Sequence, residues 1–138
     1  MLKLHITGLV LLSGLFTMTG SNPPAPPPPP MLISSANGAM MDNGCQDKSN
    51  GLTWDFDWSD VPGATAYHIR VWRNPAIPAI NNMAVVSSSF NYDSPQTHII
   101  NQNRVGWQWR VRAKVGGHWG PWSARRFFRV ERLNTDCP

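Results

Sequence analysis

Apolar and polar residues alternate with a period of two through most of the chain between residues 54 and 130, the signature of strands with one buried face. Trp54, Phe56 and Trp58 alternate with Asp55 and Asp57, which predicts a strand with an aromatic core side and a solvated acidic side. A turn follows at Val61-Pro62-Gly63. Tyr67, Ile69 and Val71 then alternate with His68, Arg70 and Trp72, a second strand closed by Asn74-Pro75 and by Pro78, which does not fit a central strand. Weaker strands are predicted over residues 83–88 and 97–100. The longest clean alternation sets Trp107, Trp109, Val111 and Ala113 against Gln108, Arg110, Arg112 and Lys114. Gly116-Gly117 supplies the positive φ of a tight hairpin, and a return strand carries Phe128 and Val130 on one side, Phe127 and Arg129 on the other. The fold class is all-β, a sandwich of short strands.

Composition divides the 138 residues into a tail and one domain, because the surplus prolines are concentrated near the N-terminus and the tryptophans follow them. Residues 1–20 read as an export signal: Lys3 gives a positive start, and Ile6 to Phe16 is an apolar stretch too short to span a bilayer. Residues 21–30 contain PPAPPPPP, a stiff polyproline II spacer of roughly 25 Å at about 3.1 Å per residue. Such a segment also suits aromatic-lined grooves as a ligand, but a stalk between an envelope and a folded module is the more economical reading. The folded domain is assigned to residues 31–138. Cys45 and Cys137 bracket nearly all of the predicted strands, and an even pair in a small exported domain reads as a disulfide. With no CxxC and scattered histidines, no zinc or other metal site is expected.

The run W-S-D-V-P-G-A-T-A-Y-H-I-R-V at 58–71, followed by W-Q-W-R-V-R-A at 107–113, resembles a fibronectin type III domain over roughly residues 31–133. The resemblance implies a seven-stranded immunoglobulin-like sandwich, with Trp58 as the core Trp of its second strand, Tyr67 as its third-strand Tyr, and Trp107 where the family commonly has Tyr. W-G-P-W-S at 119–123 is also similar to the Trp-Ser-x-Trp-Ser region of cytokine receptor modules. Gly120 stands in place of the first Ser, and no receptor activity is carried over. In the implied topology the two cysteines lie at the same pole, and a first strand falls around Met31 to Met41.

Charge is segregated along the chain: residues 42–60 hold five Asp and one Lys, whereas 104–132 hold eight Arg or Lys and the single Glu131. If the third, sixth and seventh strands share a sheet as the resemblance implies, its outer face gathers Arg70, Trp72, Arg110, Arg112, Lys114, Phe127 and Arg129. Basic groups interleaved with rings suit an anionic polysaccharide, a phosphorylated surface or an acidic protein patch. The same residues can instead stack internally, with Arg110 and Arg112 between Trp119 and Trp122, an arrangement that the cytokine receptor resemblance implies. The candidate ligand-binding set is therefore Arg70, Trp72, Arg110, Arg112, Trp119, Trp122 and Arg129. His68, His98 and His118 have no nucleophile or acid at motif spacing, so no catalysis and no cofactor are expected. Export and the lack of a nucleic-acid motif argue against nucleic acid despite a pI near 9.6. The sequence thus predicts an exported, non-catalytic binding or adhesion module, secreted, periplasmic or at the cell surface, whose partner is an envelope or extracellular protein or an anionic polysaccharide, without a transmembrane span in the mature chain. The alternative is a structural spacer or assembly subunit with a stacked Trp/Arg ladder and no ligand.

Overall fold

The computed structural model describes residues 14, 18–47 and 49–138, so most of the expected signal segment lies outside the described residues. Two sheets form a β-sandwich. One contains β1 (Leu32–Ser34), β3 (Leu52–Trp58) and β6 (Ser89–Ser94) in the order β1-β3-β6. The other runs β2-β9-β7-β4-β5, from β2 (Ala39–Met41), β9 (Arg126–Val130), β7 (Trp107–Val115), β4 (Ala64–Trp72) and β5 (Ile80–Val85), with the two-residue β8 (His118–Trp119) hairpinned onto β7. With the broken first strand β1/β2 taken as one and β8 as an appendage, this is the all-β sandwich that the alternation predicts, with the seven strands that the fibronectin type III resemblance implies. Among the described residues no helix is long and apolar enough to cross a membrane.

The period-two faces close on each other as an aromatic core. Trp54, Phe56 and Trp58 from one sheet meet Trp107, Trp109 and Phe128 from the other, with Trp54 edge-on to Trp107 and to Phe128 at 5.2 Å, and Phe56 tilted against Trp109 at 4.9 Å. Edge-to-face and tilted packing suits the ring quadrupoles and fills the layer with few side chains. Tyr67 packs on Trp58, and its hydroxyl accepts from the Val61 amide at 3.0 Å. That bond ties the core to the Val61-Pro62-Gly63 turn, where Gly63 adopts φ +76° after the fixed φ of Pro62.

Three local expectations change. The first strand is not continuous over Met31 to Met41: β1 joins the first sheet and β2 the second, parallel to β9. Arg126 holds this crossing, donating to the carbonyls of Leu32 (2.6 Å), Ile33 and Ser35 (2.8 Å each). The strand expected at 83–88 is displaced, because β5 ends at Val85 and a separate strand, β6, pairs with β3 in the opposite sheet. Residues 97–100 form no strand. A turn places the Thr97 amide on the Ser94 carbonyl, and the Ile99 amide donates to the side chain of Asn43 instead of to a neighbouring strand.

Asn43 is a buried hub at the pole where the disulfide lies. Its amide donates to the carbonyls of Ile99 and Glu131, and its oxygen accepts from the amides of Gly44 and Ile99. Cys45 and Cys137 pair there as expected, with Cα atoms 5.9 Å apart and 92 residues between them. Closing a loop of that length contributes on the order of 4 to 5 kcal/mol in the chain-entropy model. Reduction is therefore expected to lower the free energy of unfolding by an amount of that order, and with it the midpoint of chemical unfolding, measured by denaturant titration with and without reductant. A midpoint unchanged by reduction contradicts the assignment of the disulfide as a main source of stability.

Candidate functional site

The outward side chains of β4 and β7 are set side by side by their antiparallel register, which pairs His68 with Arg112, Arg70 with Arg110 and Trp72 with Gln108. Two cationic rows on adjacent strands would repel if left alone. They are separated by indoles delivered from the segment after the β7–β8 hairpin. Gly116 and Gly117 at φ +57° and +80° turn the chain back, and the returning segment is stitched to β7. The Gly120 amide donates to the Ala113 carbonyl and the Ser123 amide to the Val111 carbonyl, each at 2.8 Å, and the Val111 amide donates to Ser123 Oγ at 3.0 Å. Trp119 and Trp122 are three residues apart, the repeat of a polyproline II turn, and Pro121 restricts the backbone between them, so both rings can face the same side.

The result is an alternating stack. The Lys114 ammonium lies 5.7 Å from the Trp119 ring, and the Arg112 guanidinium lies 5.0 Å from Trp119 and 4.5 Å from Trp122. Arg110 lies 4.2 Å from Trp122 and 5.5 Å from Trp72, and Arg70 closes the stack 5.6 Å from Trp72. Each contact is of the kind that contributes roughly 0.5 to 2 kcal/mol, the larger values where water is excluded. Arg110 shows the opposing cost. Burial first, and then the charges of Arg70, Arg125 and Arg112, pull its pKa below the ordinary guanidinium value, and its Nε has no hydrogen-bond partner among the described residues.

His68 is the member that sequence reasoning left out of the candidate set. It lies on the outward face of β4, yet it is only 6% exposed because Trp119 and Trp122 cover it at 5.7 and 4.7 Å. Its Nε2–H donates to Asn81 Oδ1 at 2.7 Å, and its Nδ1 accepts from Arg112 Nε at 3.2 Å, which requires the neutral ring. A second proton would set two donors against each other. Burial first, followed by the charges of Arg112, Arg70 and Arg110, lowers the His68 pKa against the opposing pull of Asn81. The sequence signal was available in the alternation of β4, which puts His68 on the face of Arg70 and Trp72.

The structure brings six of the seven candidates, Arg70, Trp72, Arg110, Arg112, Trp119 and Trp122, into one ladder. Trp72, expected on an open outer face, is only 5% exposed, since Arg70 and Arg110 lie over it. Arg129 stands apart, exposed on β9 opposite Met40, and Phe127 is exposed on the same strand. The acidic side of β3 lies on the other sheet, where Asp55 accepts from Asn91 of β6 at 2.7 Å. A further acidic group not anticipated from the sequence, Asp42, Glu131 and Asp136, converges near the disulfide. Asp42 accepts there from the Thr53 amide and Glu131 from the Asn43 amide.

No family model and no curated protein matches this chain. Among solved structures, one described as an Fn3-like protein from Clostridium thermocellum is similar at 16% identity with a TM-score of 0.42, over 74% of this chain and 99% of that one.

Two outcomes are expected. Trp122→Ala removes a ring shared by Arg110, Arg112 and His68 and should destabilise the fold by about 2 to 4 kcal/mol, between a cation–π loss and a full buried Trp truncation. Arg129→Ala should stay within about 0.5 kcal/mol; equal losses in the two variants would contradict the ladder. For His68, the folded state resists protonation, so the unfolded chain binds more protons as pH falls below the ordinary imidazole value near 6.5. Its contribution to stability is complete above that value and is lost as pH falls toward the lowered folded value. An NMR titration of the His68 ring with a midpoint at or above 6.5 contradicts this.

Proposed function

We propose that the chain is an exported, non-catalytic binding module of the cell envelope or extracellular space, in which the ladder stiffens one sheet and presents its cations to a negatively charged partner. The observation that carries this reading is the charge balance of the stack. Arg70 donates to the Pro75 carbonyl and Arg112 to a neutral imidazole, while ring faces, not carboxylates, cover the cations. A column of positive charge left uncompensated within the fold raises the local potential and favours an anionic polymer or acidic protein surface. Arg125, which donates to Gln108 at 3.1 Å, and Arg129 extend the positive surface as exposed groups. The disulfide supports an oxidising compartment.

A second reading, a structural spacer or assembly subunit, is favoured by the burial of Trp72 and by the internal bond from Arg112 to His68. In that reading the ladder serves stability alone.

Retention of the oxidised protein on anionic polysaccharide supports across a salt series separates the two. The binding reading predicts retention at low salt that falls steeply as salt is added. It also predicts that Arg125→Ala combined with Arg129→Ala weakens retention without shifting the melting temperature, whereas Arg112→Ala lowers the melting temperature. Lack of retention at low salt, or retention indifferent to salt, overturns this reading and leaves the spacer.

A further inference from the structure

The proline-rich segment does not simply project from the domain. Pro30 is buried and Pro27 half-buried, and the end of the segment is fixed to the sandwich by two bonds: the Met31 amide donates to Ser59 Oγ, and the Ser59 amide to the Met31 carbonyl, each at 2.8 Å. From this anchor the segment runs back past the hairpin. Residues 24–27 line a cleft of about 690 Å³ together with Val115, Trp119, Gly120 and Pro121.

Gly120 marks the closest approach. A Cβ at this position would lie 3.1 Å from Pro27 Cγ and 3.9 Å from Pro27 Cδ. Any side chain there would press against the proline ring unless that ring gave way. Prolines offer no N–H, so what holds such a strand is the packing of stiff rings against flat aromatic and proline surfaces, with little conformational entropy lost on docking.

We propose that the β7–β8 hairpin and the segment Trp119–Pro121 form a polyproline II-binding groove, whose resident occupant is the chain's own arm, Pro24–Pro27. The groove lies at the Trp119 end of the ladder and uses apolar and ring surfaces, so it is independent of any anionic partner. The docked arm sets the direction in which the stalk leaves the domain and keeps the groove closed to proline-rich segments of other chains. A tethered arm acts at an effective concentration of about millimolar, so a free peptide competes poorly with it.

The test uses the full oxidised chain and a synthetic peptide of residues 22–30, followed by tryptophan fluorescence. A variant whose own arm is spoiled, Pro24→Ser with Pro26→Ser and Pro27→Ser, should bind the peptide saturably, and at least ~10-fold more tightly than the unaltered chain does. Adding Gly120→Val to the spoiled-arm variant should weaken peptide binding at least ~10-fold, because its side chain enters the space of Pro27. Near-UV circular dichroism reports whether the ladder persists; if Gly120→Val loses that signal, Gly120→Ala replaces it, with a smaller loss expected. No saturable binding to the spoiled-arm variant, equal binding by the two arms, or indifference to the residue at 120 overturns the proposal.

Discussion

Positive charge held between indole faces is the constraint on which the second sheet depends. Lys114, Arg112, Arg110 and Arg70 project from two adjacent strands, where like charges would repel, and Trp119, Trp122 and Trp72 separate them. For that to happen β4 and β7 must keep one register, the hairpin must turn at Gly116-Gly117, and the returning segment must be bonded to β7 through Gly120 and Ser123. His68 must remain neutral beneath the rings. The stack is thus a third layer over the sandwich, and it explains why Trp72 and His68 are buried on a face whose alternation assigns them to the outside.

The rest of the fold supplies a rigid base for this layer. Beneath it, Trp54, Phe56, Trp58, Trp107, Trp109 and Phe128 fill the space between sheets. At one pole the disulfide and Asn43 join the start of the domain to its end, and Arg126 fixes the place where the first strand changes sheets. Acidic and basic surfaces end on opposite sheets, with Asp55 and Asp57 on β3 and the cations on β4 and β7. The segregation of charge along the chain becomes a segregation in space.

The strong strands were legible because each carries its own alternation of large apolar and polar residues, and that pattern gave β3, β4, β7 and β9 with the correct inward faces. The weak ones were not. Ser89–Ser94 alternates only Phe90 and Tyr92 with small polar residues, a signal easily merged with the preceding strand, and residues 97–100 look extended although their amides serve a turn and the Asn43 side chain. The ladder was foreshadowed as one of two alternatives, through the resemblance of residues 119–123 to the Trp-Ser-x-Trp-Ser region. The closure of Trp72 and the capture of His68 depend on a loop folding back over β4, and period-two reading carries no information on that. Asn43 and Arg126 owe their roles to carbonyls 56 to 94 residues away in sequence, beyond the reach of any local pattern.

The central claim is that the cations and rings stabilise one another, and a double-mutant cycle on Arg110→Met and Trp122→Leu measures that directly. Unfolding free energies of the two single variants and the double variant isolate the pairwise coupling. The ladder predicts a favourable coupling of about 0.5 to 2 kcal/mol. Strictly additive losses would mean that Arg110 and Trp122 merely lie near each other, and the account of the sheet face would be wrong.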